Sequence, residues 1–413
     1  MSSDSTLSEL ESFRTEAREW LASRLERRPK RELAVQEWGV GSDSVEVFPS
    51  IDAEAEAASV RAAAAWQAEK YDAGYGALTW DSAFGGRGLP SAYERAFRAE
   101  ERAFAVPAES ELMAVTLGLI APTIRRHGSA ELCAEVIPSL LRADAIACQL
   151  FSEPGAGSDL ASLSCFAERA GDDWILNGQK VWTSGAGVAT FGEAICRTDR
   201  TAGKHAGMTA FLVEMDAPGV EVRPIRQMTG GASFNEVFLT NVRVPDRRRI
   251  GAVGEGWTVA LTTLSFERGS SQHAAPGGSF RRLLELARHL DRTDDPLVRQ
   301  ELIEVYTLNR ILDYTNRRIG AAARAGEAPG PEGSIRKLAW VRSLTRTGEV
   351  AQRLLGPRIA ADTGEWGTYA WSQHLLGAPG YRIAGGSDEI QRNIIAEKVL
   401  GLPRDPAPPA RPT

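Results

Sequence analysis

Lysine, histidine and cysteine are all scarce in this chain, and each scarcity removes a class of function. Six of the 48 basic residues are lysine (Lys30, Lys70, Lys180, Lys204, Lys337 and Lys398), and the arginines that make up the rest are scattered. Against 54 acidic residues they leave a net charge of -6, without the basic excess that binding a phosphate backbone needs, so nucleic acid is not expected as a partner. The four cysteines, Cys133, Cys148, Cys165 and Cys196, are spaced 15, 17 and 31 residues apart, with no C-x-x-C pair and no histidine at ligand spacing. They read as reduced structural thiols, and no metal is expected. No apolar run approaches ~20 residues, and Met1-Ser-Ser-Asp opens no basic and apolar leader. The expectation is a cytoplasmic protein that does not enter a membrane.

What is present is ordinary globular material: 43% hydrophobic and 25% charged residues over 413 positions. At roughly 100–200 residues per domain that length suggests two to four domains. Leu10, Phe13, Ala17, Trp20, Leu21 and Leu25 recur at helical steps, and helical patterning continues over Tyr93–Phe104 and Glu109–Leu141, interrupted by the polar stretch Gly39 to Ser50. Between about Ala145 and Val244 the pattern is short runs rich in Val, Ile and Phe, including Thr209–Met215, Val220–Ile225 and Glu236–Val244. Within it, Asn177-Gly178 predicts a tight hairpin between two strands. After Pro245 helices return over Trp257–Arg268, Phe280–Leu290, Pro296–Gly320, Ile335–Leu355 and Ser387–Leu400, with Ser334 placed to cap the fourth of these. The reading is an α+β, mostly α chain with a helical domain at 1–145, a small antiparallel β domain at 146–250, a helical bundle at 251–402 and a disordered tail at 403–413.

Four segments stand out. Gln149-Leu-Phe-Ser-Glu-Pro-Gly-Ala-Gly-Ser-Asp159 has a Gly-x-Gly, but Leu160 stands where a dinucleotide fold needs its third glycine, and no crossover helix follows. It is either a ligand loop or a plain turn. Lys180-Val-Trp-Thr-Ser-Gly185 places an indole and two hydroxyls at a strand end, suited to covering a planar ring, though a strand tryptophan is as readily core. In Trp257–Arg268, Ala260, Leu264 and Glu267 share a helical face, so a carboxylate extends an apolar stripe, either as a general base or as a structural ion pair with arginine. Finally, Gly385-Gly386-Ser387 reads as a close-approach turn before a helix, or simply as a glycine turn and N-cap.

Taken in order, Glu153-Pro-Gly-Ala-Gly-Ser-Asp159, Asn177-Gly-Gln-Lys-Val-Trp-Thr-Ser184, Phe234-Asn-Glu-Val-Phe238, Gly254-Glu-Gly-Trp257 and Glu389-Ile-Gln-Arg-Asn393 resemble the acyl-CoA dehydrogenase family of flavoenzymes over nearly the whole chain. The resemblance implies an N-terminal helical domain, a middle β domain and a C-terminal four-helix bundle. It implies FAD lined by Gln149, Phe151, Ser152, Ser158, Trp182, Thr183 and Ser184, completed by Ser387 and Glu389. It also implies α,β-dehydrogenation of an acyl-CoA thioester, with the Gly385 N–H polarising the thioester oxygen, Ser158 and Arg268 contacting substrate, and electrons leaving to an electron-transfer flavoprotein. Many relatives carry their base where this chain has Gly385. Others place it before an arginine on the first bundle helix, which Glu267-Arg268 matches. The usual Arg-x-x-Phe-Gly segment is replaced by Phe280-Arg-Arg-Leu-Leu-Glu-Leu, where Arg281 or Arg282 is the available substitute for the flavin's pyrophosphate contact. A homo-oligomer, or a heteromer with a related chain, is therefore expected. Two alternatives stand beside the dehydrogenase: a non-catalytic or flavin-sharing subunit, and a member diverted to oxidase or monooxygenase chemistry.

Overall fold

The computed structural model describes residues 3–28, 38–48, 50–108, 110–269, 277–324 and 330–404. They form two compact units, residues 1–34, 51–226 and 232–266 in the first, and 35–50, 227–231 and 267–413 in the second.

The first unit opens with α1 (Ser3–Arg24), α2 (Ala53–Asp72) and α3 (Ser91–Glu101). The apolar stripe of α1 buries Phe13, Ala17 and Leu21 against Trp66, Phe97 and Phe104, while Arg14 and Arg18 both clasp Glu100 of α3. The stretch expected as helix from residue 109 to Leu141 is built in pieces: α4 (Glu111–Val115), a π-turn at Thr116–Ile120, α5 (Ala121–His127) and α6 (Ala130–Arg142). Residue 109 lies outside the described residues. Ser129 caps α6, its hydroxyl accepting from Leu132 N at 3.1 Å. The π-turn has a packing role, since Thr116 Oγ1 gives its proton to Leu112 O and accepts from Ala147 N at 2.9 Å, tying these helices to the first strand.

Eight strands follow: β1 (Ala147–Leu150), β2 (Phe166–Ala170), β3 (Asp173–Ser184), β4 (Phe191–Arg197), β5 (Met208–Glu214), β6 (Val220–Ile225), β7 (Phe234–Pro245) and β8 (Arg249–Ile250). Their order is β6-β7-β3-β2-β4-β5-β8, with β1 pairing parallel to β4 and the remainder mostly antiparallel. The hairpin expected at Asn177-Gly178 is not there. β3 runs unbroken through these residues, and the turn lies earlier, between β2 and β3. A different constraint explains the glycine: at φ +150°, a Cβ on Gly178 would stand 2.7 Å from Cys165 Cα. Asn177 meanwhile accepts from Asn241 N at 2.8 Å.

α7 (Gly256–Gly269) belongs to the first unit through Phe266. The second unit contains α8 (Phe280–His289), α9 (Pro296–Arg324), α10 (Glu332–Leu355), α11 (Ala370–Gly377), α12 (Gly380–Ile383) and α13 (Asp388–Ile394). Its core joins Leu283, Leu286, Val305, Val350 and Trp371 to Val45, so the polar stretch 39–50 packs here through Val45 and Val47. Ser334 is not the cap of α10. The helix starts two residues before it, which puts the serine inside the first turn, buried with an unpartnered hydroxyl.

Candidate functional site

Among the four segments singled out above, the β3 end is the one with the most distinctive geometry. Lys180 is 0% exposed and its ammonium donates to Glu153 Oε1 at 2.8 Å, to Ile195 O at 2.8 Å and to Phe151 O at 3.2 Å. Glu153 in turn accepts from Ser164 N, Ser164 Oγ and Cys165 N. Burial works to raise the Glu153 carboxyl, but Lys180 and these donors outweigh it and hold the group below its ordinary range. Fully satisfied, the pair nails the 151–159 loop to β3, and Val181 N donating to Ser152 O at 2.9 Å repeats the link. Gln149, on β1, and Ser152 are half-buried, Phe151 is buried and Ser158 is exposed on the Glu153–Ser158 turn.

One residue beyond Val181 the strand bulges, between Lys180 and Thr183. Trp182 takes φ +63° there, and 57% of its surface is exposed. A left-handed backbone at a bulky residue costs on the order of 1–3 kcal/mol. Here it turns the indole outwards, edge-on to Phe234 at 6.2 Å, whereas Trp174 on the same strand is core. Thr183 points the other way. It is 2% exposed and its hydroxyl has no partner, although its carbonyl accepts from Asn235 Nδ2 at 3.0 Å. Ser184, half-buried, pairs in register with Phe234. Gly185 follows at φ +64°, where a Cβ would meet Leu112 at 2.8 Å.

Behind α7 lies a buried polar chain that the sequence reading missed. Thr263 Oγ1 donates to Glu193 Oε1 at 2.8 Å and stands 3.0 Å from Thr123 Oγ1. Glu193 is 0% exposed and lacks any cationic partner among the described residues, so burial pushes its carboxyl up to about 8, with Thr263 opposing. Glu267 and Arg268 continue α7 by one turn, and their side chains lie outside the described residues.

In the second unit, Gly385 and Gly386 adopt φ +61° and +88°. Ser387 caps α13 by accepting from Ile390 N at 3.4 Å, as expected. Glu389 is exposed, and its carboxyl sits below the ordinary range through backbone and Ser387 hydrogen bonds. The two arginines of α8 offered as substitutes differ in access. Arg282 is buried, stacks over Trp366 at 4.1 Å and donates to Ser42 O at 2.7 Å, and Arg281 pairs with Glu285 at 3.2 Å. Arg282 is thereby turned inwards, whereas 51% of the Arg281 side chain is exposed. The signal that could have found Lys180 was its rarity: a lysine in a chain that otherwise uses arginine, set inside a strand.

Comparison with known proteins defines the class. Models of the acyl-CoA dehydrogenase N-terminal, middle and C-terminal domains match residues 44–144, 148–242 and 254–400 in succession. The chain belongs to the acyl-CoA dehydrogenase family, FAD-dependent flavoprotein oxidoreductases of lipid metabolism. Acyl-CoA dehydrogenase IpdE1 of Mycobacterium tuberculosis is 38% identical to it, covering 97% of this chain and 99% of the relative. Cyclohexane-1-carbonyl-CoA dehydrogenase of Geobacter metallireducens is 27% identical over 71% of this chain and 78% of its own. Among solved structures, the Tcur3481-Tcur3483 steroid acyl-CoA dehydrogenase superposes with a TM-score of 0.71 at 26% identity, covering 96% of this chain and 98% of that one.

Proposed function

We propose that this chain catalyses α,β-dehydrogenation of an acyl-CoA thioester. The observation that carries the reading is the β3 end, where an indole is held outwards in a strained backbone beside a buried hydroxyl with no partner. Strain and an orphaned polar atom both ask for a ligand, and a planar, hydrogen-bonding isoalloxazine suits them. Trp182, Thr183 and Ser184 with Gln149, Phe151, Ser152 and Ser158 hold FAD, and Ser387 and Glu389 complete its site. When bound, FAD supplies the hydride acceptor, at its N5. Glu267 removes the α-proton, because position 385 is a glycine and has no base to give. The Gly385 N–H holds the thioester oxygen, which lowers the cost of the charge that develops there. Arg268 and Ser158 bind substrate, and the electrons leave to an electron-transfer flavoprotein. Domain limits of 1–145, 146–250 and 251–402, with a tail at 403–413, go with this reading. The acyl group is bulky and alicyclic, in keeping with the cyclohexane-1-carbonyl-CoA and the steroid in the names of two of the proteins compared above and with the room that Gly385 leaves.

A second reading is favoured by one observation. With Arg282 committed to Trp366 and Ser42, α8 offers the flavin's pyrophosphate the half-exposed Arg281, itself paired with Glu285, and leaves room for a contact from another chain. A related chain, as in the paired Tcur3481-Tcur3483 enzyme, would supply it. The test is to purify the chain alone and with candidate partner chains, record the flavin spectrum and titrate with a panel of acyl-CoAs. Bleaching by alicyclic acyl-CoAs is expected. Bound flavin that no acyl-CoA bleaches overturns the dehydrogenase, and rapid reoxidation by oxygen would point to diverted chemistry.

A further inference from the structure

The double-glycine turn is gripped from two helices. From α10, the Lys337 ammonium donates to the carbonyl of Ala384 at 2.5 Å and to that of Gly386. From α13, Gln391 Nε2 donates to Gly385 O at 2.9 Å and to Gly386 O at 3.2 Å. Three successive carbonyls are thus held by side chains. A turn with two left-handed glycines has more conformational freedom than any other dipeptide, so its geometry depends on such anchors. The Ala384–Gly385 peptide is planar and trans, with its C=O and N–H in opposite directions. Drawing the Ala384 carbonyl towards Lys337 therefore turns the Gly385 N–H directly away, and no backbone acceptor among the described residues takes that N–H. A cation on the carbonyl also polarises the amide, which strengthens the N–H as a donor.

We propose that Lys337 is a positioning residue for the reaction: it aims and polarises the Gly385 N–H towards the thioester oxygen of the substrate. This rests on the reading of Gly385 given above. Lys337 itself touches no reacting atom. Its contribution is to keep one donor aligned and electron-poor, and thereby to acidify the carbon whose proton Glu267 removes.

The test uses the flavin-loaded full-length protein, with its partner chain if one proves necessary, and a 3-thia-acyl-CoA. That probe loses its α-proton in the site without passing a hydride, and the resulting anion over the flavin gives a long-wavelength absorbance. Lys337→Met and Lys337→Gln should raise the pH midpoint of that absorbance by about one unit and slow flavin reduction by acyl-CoA roughly tenfold, with flavin content unchanged. Lys337→Arg should restore part of both. A wild-type midpoint in Lys337→Gln with flavin bound overturns the proposal. So does collapse of both neutral variants together with a wild-type midpoint in Lys337→Arg, because the residue would then serve the fold alone. Failure of the wild-type protein to ionise the probe would instead sink the underlying reading of Gly385 and Glu267.

Discussion

At the scale of single residues, three side chains carry separable predictions. Trp182→Gly relieves a left-handed backbone and removes the indole, so the flavin-free protein should keep or gain thermal stability while flavin retention falls. Equal retention in wild type and variant, measured by the flavin released on desalting, would detach this tryptophan from the cofactor. Glu267→Gln keeps shape and removes basicity, and general-base assistance is worth roughly 10²–10⁴-fold. Stopped-flow reduction should slow by at least about a hundredfold with flavin still bound. Unchanged kinetics would send the search for the base elsewhere. Glu193 gives the pH dependence. Its folded-state carboxyl is raised to about 8, so its contribution to stability is full below the ordinary carboxylate range and is lost as pH rises towards 8. Melting temperature should therefore fall across that window in wild type and fall less in Glu193→Gln. Parallel profiles would show that Glu193 ionises elsewhere. None of this was legible for Glu193, because Phe191-Gly-Glu-Ala-Ile-Cys reads as a strand with a solvent-facing glutamate. Sequence has no way to show that α7 packs over that face.

At the scale of elements, periodicity located most helices and the strands β3, β5, β6 and β7, since burying one face leaves a three- or four-residue or alternating trace. It failed where a local signal had a non-local cause. Asn177-Gly178 carries turn chemistry, yet the glycine is there so that β3 can pass Cys165, and pairing of β3 with β2 and β7 overrides a dipeptide preference. Ser334 failed for a smaller reason, a helix boundary two residues out. The loop motif beginning at Glu153 was recognisable, whereas its mechanical partner Lys180 was marked only by the rarity of lysine, and the pairing of the two emerged with the fold. Breaking a buried pair by removing one partner costs about 3–5 kcal/mol, and replacing both groups costs much less. Lys180→Met should destabilise by that amount in a denaturant titration, and adding Glu153→Gln should recover a good part of it. A double variant as unstable as the sum of the singles would mean that the two residues act independently.

At the scale of the whole molecule, α9 exposes Leu297, Ile303, Tyr306, Ile311 and Tyr314, more apolar surface on one helix than a solitary protein usually leaves in water. Association through such a surface should give a light-scattering mass well above the 44.6 kDa of the chain, and substituting Ile303 and Ile311 by Lys should lower it. A wild-type mass equal to one chain would contradict this. The partition of the sequence between the two units has a consequence for how the protein is made. The boundary is crossed five times, and Val45, which belongs to the core around Trp371, emerges from the ribosome early. At about 5–20 residues per second, some fifteen to sixty-five seconds separate synthesis of the two. Through that interval Val45 and Val47 have no seat, so this chain should be a client for chaperones during synthesis, and no single-cut truncation should yield an intact second unit.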